Sequence, residues 1–79
     1  KTASGEIFSN KELTAANKTL PFGTEVKITN LISGKSVVVR VNDRGPYHSS
    51  RAFDLSKAAF DSIGDLRKGT IAIEYEIID

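Results

Sequence analysis

The sequence predicts an all-β protein with one short helix, and three observations indicate this class. Apolar and polar residues alternate in residues 25–30, 35–43 and 70–79, which is the period-two pattern of half-buried strands. Glycine and proline residues separate these stretches and mark turns. The residues after Asp54 show apolar spacing near the helical period and predict the one principal helix. The length suits one domain, so we expect residues 1–79 to form a single β-barrel.

The central strand is predicted from a valine-rich stretch. Val37, Val39 and Val41 point to one side of a strand over residues 35–43, and the intervening residues point to the other side. β-branched residues favour strands, and this stretch is rich in them. Gly34 can supply the positive φ that a tight hairpin to the preceding strand requires.

One helix is predicted after Asp54. The apolar residues there approximate helical spacing, and they are Leu55, Ala58, Ala59, Ile63 and Leu66. Asp54 or Ser56 is the predicted N-cap, and Gly64 is the predicted C-terminal stop. A second short helical turn is predicted within residues 10–16.

Composition argues against several classes of function. Lysine and arginine number 11 against 10 acids, which argues against nucleic-acid binding because phosphate contacts need a surplus of cations. The sequence has no cysteine, so it has neither a disulfide scaffold nor a thiolate zinc site. Its single histidine, His48, is predicted to be an exposed loop residue, and we expect no metal or other cofactor. No apolar run approaches the roughly 18 residues of a membrane span.

Asp54 and Glu6 are the candidate catalytic residues. The ordinary role of Asp54 would be a helix N-cap. Its functional role would be a general acid, which must keep a proton near neutral pH, and flanking Phe53 and Leu55 could supply the desolvation this requires. Glu6 is either a solvated surface acid or a second carboxylate that faces Asp54 across a groove.

Five further residues are candidates for substrate binding. Asp43, Arg44 and Tyr47 belong to a turn that either is structural, with Asp43 accepting backbone bonds and Arg44 pairing with a carboxylate, or forms the lip of a groove. Thr14 and Asn17 either cap local backbone groups or hydrogen-bond a polar ligand.

Several motifs together resemble a known family. They are Thr-Ala-Ser-Gly-Glu at residues 2–6, Leu-Thr-Ala-Ala-Asn-Lys-Thr-Leu-Pro-Phe-Gly-Thr at 13–24, Val-Val-Arg-Val-Asn-Asp-Arg-Gly-Pro at 38–46, and Arg51 with Asp-Leu-Ser at 54–56. In this order and spacing they resemble the rare lipoprotein A (RlpA) family almost from end to end. Residues 53–60 also resemble the groove motif of expansins, which share the fold.

The resemblance implies a six-stranded double-psi β-barrel with lytic transglycosylase activity on peptidoglycan glycan strands, preferably strands stripped of stem peptides. On this basis Asp54 matches the catalytic aspartate and Glu6 an acidic groove residue. Thr14, Asp43 and Arg44 match groove or loop-fixing positions. The implied location is the bacterial cell envelope or the exterior, with a periplasmic or outer-membrane-attached protein in a Gram-negative host.

The sequence departs from the family pattern at two places. Asn17 stands where the family commonly has histidine, and an amide can hydrogen-bond but cannot titrate near neutral pH. The family usually has a further strand before the motif at residues 2–6, so the barrel is expected to be open there or completed by a partner segment.

Two other functions remain open at this point. One is a non-catalytic module that binds or loosens cell-wall polysaccharide, as in expansins. The other is a protein-binding domain such as a protease inhibitor, because small double-psi barrels also serve that purpose. Release of anhydro-sugar products would distinguish the enzyme from both, and binding to insoluble glycan would distinguish the wall-binding module from the inhibitor.

Overall fold

The computed structural model describes residues 1–47 and 50–78, and within them it contains five strands, one α-helix and one 3₁₀ turn. The strands are β1 (Thr14–Asn17), β2 (Glu25–Asn30), β3 (Ser36–Asp43), β4 (Phe53–Leu55) and β5 (Ile73–Ile78); the helix is α1 (Lys57–Ile63), and the 3₁₀ turn is Leu66–Lys68. The prediction of an all-β fold with one principal helix is confirmed.

The five strands form one sheet in the order β4-β1-β3-β2-β5. β1 runs parallel to β3, whereas the other neighbouring pairs are antiparallel. The two outer strands approach each other, because the rings of Phe53 on β4 and Tyr75 on β5 meet edge to face with centroids 5.0 Å apart. The sheet therefore curves into a half-barrel whose outer strands face each other.

The hairpin of β2 and β3 supplies much of the core. Val26 pairs with Val39 and Ile28 with Val37, so the inward residues of both strands stack on the same face. Val26, Ile28 and Val39 are almost completely buried. Gly34 adopts a φ of 76° in the connecting turn, as predicted, because that conformation is strained for residues with a Cβ.

Helix α1 begins after Ser56 and ends at Gly64. The Ser56 Oγ accepts a hydrogen bond from the Ala59 amide at 3.3 Å, so Ser56 is the N-cap and Asp54 is not. The Gly64 amide donates to the Phe60 carbonyl at 2.9 Å. Ala59 and Ile63 are fully buried, so the helix covers the core with one face.

The structure corrects two element predictions. Residues 10–16 do not form a helical turn, because β1 begins at Thr14 and pairs with strands on both sides. The last strand begins at Ile73, because a 3₁₀ turn and a loop precede it.

His48 lies outside the described residues. Neither described helix has the length and apolar character of a membrane span.

Candidate active-site groove around Asp54

Asp54 lies in the middle of the short strand β4. Phe53 is buried and Leu55 is half-buried, whereas the Asp54 side chain between them is 60% exposed. This alternation follows from the strand geometry, in which successive side chains point to opposite faces. Phe53 and Leu55 therefore do not enclose the Asp54 carboxylate, contrary to the expectation from the sequence. Its charged neighbour is Arg51, whose Nη1 lies 3.9 Å from Oδ1.

A β-bulge brings a second carboxylate to the same part of the surface. Ala16 on β1 pairs with Asp54 on β4 and with Asp43 on β3, and the register shifts between Ala15 and Ala16. The shift interrupts the alternation of β3 at its end, so Asn42 and Asp43 both reach the cavity beside β1. Ala16 has a small side chain, which leaves space between the two carboxylates.

Asp54 borders two cavities. One, of about 110 Å³, is lined by Phe8, Thr14, Ala15, Ala16, Asn42, Asp43, Asp54, Leu55 and Ser56, and we call it the groove. The other, of about 260 Å³, lies between β4 and the chain that leads to β5, and we call it the edge cavity. The edge cavity is mostly apolar and is lined by Arg51, Ala52, Phe53, Asp54, Leu55, Phe60, Gly69, Thr70, Ile71 and Ile73.

Asp43 is held by the backbone at the rim of the groove. Its Oδ1 accepts hydrogen bonds from the Ala3 amide at 2.9 Å and from the Arg44 amide at 2.8 Å. The N-terminal segment is thereby attached to the end of β3, and the Ser4 amide adds a bond to the Asn42 carbonyl at 3.2 Å. Asp43 is thus both a groove residue and the anchor of this segment.

Arg44 fixes a loop and does not line the groove. Its Nη1 donates to the Leu20 carbonyl at 2.8 Å and to the Asn17 carbonyl at 3.3 Å. Its guanidinium also lies 4.0 Å from the centroid of the Phe22 ring, in a cation–π contact. Tyr47, predicted with Arg44 to meet a ligand, is 66% exposed and is not among the groove-lining residues.

Thr14 and Asn17 mark the two ends of β1. Thr14 is buried and lines the groove. The Asn17 side chain bonds to backbone groups at both ends of its amide: its Nδ2 donates to the Ala52 carbonyl at 2.9 Å, and its Oδ1 accepts from the Thr19 and Leu20 amides at 3.0 and 2.8 Å. Asn17 therefore holds the chain that enters β4, two residues before Asp54.

Glu6 is paired with a base beside the groove. Its carboxylate accepts a hydrogen bond from Arg40 Nη1, and further bonds come from Ser4 and Asn42. The Arg40 guanidinium is the main cause that lowers the pKa of Glu6 below its ordinary value, and in turn the pKa of Arg40 is raised. Glu6 is therefore anionic at neutral pH, and it contacts the groove through Asn42.

Three residues in this region were not predicted as site residues. Ser56 is buried, and its Oγ donates to the Glu12 carbonyl at 2.6 Å and accepts from the Thr14 and Ala59 amides, each at 3.3 Å. The sequence indicated these contacts of Ser56 only by predicting it as a possible N-cap. Asn42 and Phe8 line the groove, but no short-range pattern in the sequence distinguishes them from surface residues.

Among the residues that the structure describes, no three or more His, Asp or Glu side chains form a group that could hold a metal ion.

Comparison with known proteins identifies the family. The family model described as lytic transglycolase matches residues 1–75. The chain belongs to the lytic transglycolase family. This membership, together with the five-stranded half-barrel and its single helix, confirms the predicted double-psi β-barrel without one of its six strands.

Relatives in this family are identical to the chain at about half of the aligned positions. The chain is 52% identical over 77 residues to the endolytic peptidoglycan transglycosylase RlpA of Vibrio cholerae, covering 98% of the chain and 29% of that protein. It is 49% identical over 78 residues to the protein of the same name from Neisseria meningitidis serogroup B, covering 99% of the chain and 33% of the relative. The probable endolytic peptidoglycan transglycosylase RlpA of Synechocystis is 51% identical over 78 residues, covering 99% and 24%. The chain thus spans about a quarter to a third of the length of the curated relatives it matches.

Proposed function

We propose that this domain is an endolytic peptidoglycan transglycosylase that cleaves glycan strands between N-acetylmuramic acid and N-acetylglucosamine. The observation that carries the proposal is the position of Asp54, an exposed carboxylate on β4 at the border of two cavities. The relatives named as endolytic transglycosylases align with nearly the whole chain, which supports the same reaction class here.

One carboxyl group is enough for this reaction. In the protonated form, Asp54 donates its proton to the glycosidic oxygen as the bond to the anomeric carbon of N-acetylmuramic acid breaks. The 6-hydroxyl oxygen of the same sugar then attacks that carbon, and its proton passes to the Asp54 carboxylate. The product is a 1,6-anhydro sugar and no water is consumed, whereas hydrolytic glycosidases usually need a second carboxylate.

Because Asp54 is exposed, the bound substrate would have to shield it from water. A carboxyl that is 60% exposed is hydrated in the free domain. A glycan strand seated in the groove would displace that water. We therefore propose that bound substrate supplies the enclosure that Phe53 and Leu55 do not provide, and that cleavage depends on a well-seated strand.

The other candidate residues have supporting roles in this proposal. Thr14 and Asp43 line the groove and would hydrogen-bond sugar hydroxyls. Glu6 is kept anionic by Arg40, so it would orient sugar or the Asn42 amide and would not serve as an acid. Asn17, Arg44 and Tyr47 lie outside the groove lining, and Asn17 and Arg44 hold the surrounding loops.

A strand that completes the barrel would occupy the edge cavity. Its walls include the apolar side chains of Phe53, Leu55, Phe60, Ile71 and Ile73, which suit an extended apolar segment. We propose that a further strand, of the kind that precedes the motif at residues 2–6 in the family, lies there between β4 and β5. A longer chain that carries this strand should melt at a higher temperature than residues 1–79, and equal melting temperatures would contradict the placement.

The proposed substrate also fixes the proposed location. Peptidoglycan lies in the bacterial cell envelope, so we propose an envelope or secreted protein, periplasmic or attached to the outer membrane in a Gram-negative host. Peptide-poor glycan strands are the preferred form in this proposal, as the resemblance to the family implies.

Digestion of purified peptidoglycan tests the function. Mass spectrometry should detect soluble anhydro products, with more product from peptide-stripped glycan than from intact peptidoglycan. Asp54→Asn should reduce product release by about 10²–10⁴-fold, because the amide cannot donate and recover a proton. Asp54→Asn should also retain its melting temperature, since Ser56 and not Asp54 caps the helix. Unchanged product release from folded Asp54→Asn would remove Asp54 from the reaction, and glycan binding without products would favour the wall-binding module.

A further inference from the structure

Phe8 is an exposed aromatic residue in the wall of a polar groove. Phe8 is 54% exposed, and it lines the cavity that contains Thr14, Asn42, Asp43 and Asp54. An aromatic ring exposed to water loses the free energy of burial, so its position beside hydrogen-bonding groups calls for a ligand with both apolar and polar surfaces.

The chain around Phe8 is fixed on both sides. Before it, the Thr2 amide and hydroxyl both donate to the Glu6 carbonyl, at 2.8 and 3.1 Å. After it, Asn10 accepts from two amides at the start of α1, that of Lys57 through Oδ1 at 3.1 Å and that of Ala58 through its carbonyl at 3.0 Å. These bonds hold the backbone on both sides of Phe8, so less conformational freedom is lost when a ligand packs on this wall.

A pyranose ring matches this arrangement. Its C–H groups form an apolar face, which packs on the electron-rich face of an aromatic ring, and its hydroxyls project from the rim towards hydrogen-bonding partners. The groove is lined by Phe8 together with the hydrogen-bonding residues Thr14, Asn42 and Asp43. The methyl group of Ala16 lies between the register positions of the two aspartates and leaves space for a sugar ring.

We propose that Phe8 is the stacking platform for one sugar of the glycan strand, placing that sugar next to Asp54. The proposal rests on the proposed function for the identity of the glycan, and it adds a binding residue that neither the motifs nor the electrostatics indicate. Ile7 serves as an internal contrast, because it is 80% exposed but does not line the groove.

Binding measurements in the Asp54→Asn background test this proposal without cleavage. Phe8→Ala should weaken binding to peptide-free glycan strands by about tenfold, which is the loss expected for one stacking contact. Ile7→Ala should leave the affinity unchanged. Phe8→Leu keeps apolar volume but lacks a flat ring, so it should bind as weakly as Phe8→Ala. Affinity equal to the parent in Phe8→Leu or Phe8→Ala would overturn the stacking role.

Phe8→Trp provides a spectroscopic readout, since the sequence has no tryptophan. The single indole should retain binding, and its emission should shift to shorter wavelength as soluble glycan is added. An emission spectrum that does not change at saturating glycan would also overturn the proposal.

The outcomes separate this inference from the proposed function. Cleavage by the parent with no loss in Phe8→Ala would remove the platform and leave the transglycosylase. Glycan binding that depends on Phe8 in a domain that releases no products would retain the platform and remove the enzymatic function.

Discussion

The two halves of the sheet bury different kinds of side chain. In the ladder half, which comprises β2, β5 and residues 36–41 of β3, the buried side chains are valine and isoleucine, apart from Asn30 at the end of β2. In the groove half, which comprises residues 1–13, β1, β4, the end of β3 and the start of α1, buried polar side chains lie among the apolar ones, and they are Thr2, Thr14, Asn17, Asn42 and Ser56.

This difference separates two ways of holding a chain in place. A regular antiparallel ladder fixes the position of β2 and β5 through backbone bonds, and β2 adds the burial of Val26 and Ile28. The strands of the groove half are only four and three residues long, so side-chain hydrogen bonds to backbone groups hold them. Within residues 1–47 and 50–78, no buried side-chain nitrogen or oxygen lacks a partner. The groove half should therefore be more sensitive to the loss of single polar atoms than the ladder half, where such sensitivity is expected at Asn30, which bonds to backbone groups at the end of β2.

The largest effect of this kind is expected at Ser56. Ser56→Ala removes the N-cap of α1 and leaves the Glu12 carbonyl and the Thr14 amide without their bonds to Oγ. We expect the free energy of unfolding to fall by about 2–3 kcal/mol. Product release should fall as well, because Asp54 lies two residues before the lost contacts.

Ser62→Ala is the matched control for Ser56. The Ser62 hydroxyl is exposed on the same helix and donates only to the Ala58 carbonyl, at 2.9 Å. We expect its loss to change the free energy of unfolding by less than about 0.5 kcal/mol. Denaturant unfolding of both variants tests this prediction. Equal losses in the free energy of unfolding would show that the buried contacts of Ser56 contribute no more than the exposed bond of Ser62.

A smaller effect is expected at Asn17. Asn17→Ala deletes three hydrogen bonds to the backbone and should lower the free energy of unfolding by about 2 kcal/mol. Asn17→Asp keeps an acceptor for the Thr19 and Leu20 amides but directs an oxygen at the Ala52 carbonyl, so it should not restore stability at neutral pH. Exposed Lys27 in the ladder half is the control, because Lys27→Ala should change stability by less than about 0.5 kcal/mol. Full stability of Asn17→Ala would contradict the role of these bonds.

The sequence predicted the ladder half better than the groove half for the same physical reason. The bounds of β2 agree with the prediction, β3 begins one residue later than predicted and β5 begins three residues later. Alternation over six to eight residues locates these strands because it follows the two faces of a sheet. β1 was missed and residues 10–16 were assigned a helical turn. β1 has only four residues, and polar Thr14 and Asn17 occupy buried positions in it, so its sequence does not alternate between apolar and polar residues.

The groove could be predicted only in part. The resemblance placed Asp54, Asp43 and Thr14, and all three line the groove. The loop-fixing alternative for Arg44 matches its contacts, although its partners are carbonyls and a ring instead of a carboxylate. Phe8 could not be predicted, because its place in the groove depends on hydrogen bonds between the N-terminal segment, β3 and α1.

The junction of the two halves offers a test of their coupling. Phe53 belongs to the groove half and Tyr75 to the ladder half, and their rings meet at 5.0 Å. A double-mutant cycle with Phe53→Leu and Tyr75→Leu should give a coupling free energy of about 1 kcal/mol. Tyr75→Leu should leave product release nearly unchanged, because Tyr75 does not line the groove. Additive losses of stability would show that the outer strands do not support each other through this pair.

The smallest effect concerns Glu6 and the pH dependence of stability. Hydrogen bonding to Arg40 lowers the pKa of Glu6 in the folded state below its ordinary value of 4.5. A lowered pKa means that the unfolded chain takes up the proton first, so the stabilisation is complete above the ordinary pKa and is lost as the pH falls through the lowered one. Because both side chains are more than one-third exposed, solvent screening keeps the effect small.

The melting temperature measured from about pH 6 to about pH 2 tests this effect. In Glu6→Gln, the fall of the melting temperature with acid should be shallower than in the parent, because the titrating partner of Arg40 is gone. Asp65 is the control, since hydrogen bonds from Arg67 also lower its pKa. The Asp65–Arg67 pair joins residues two apart, whereas Glu6 and Arg40 join the N-terminal segment to β3 across 34 residues. Asp65→Asn should therefore change the fall of the melting temperature with acid less than Glu6→Gln does. If the melting temperatures of the two variants fall equally with acid, the bond from Glu6 to Arg40 does not hold the N-terminal segment against the sheet.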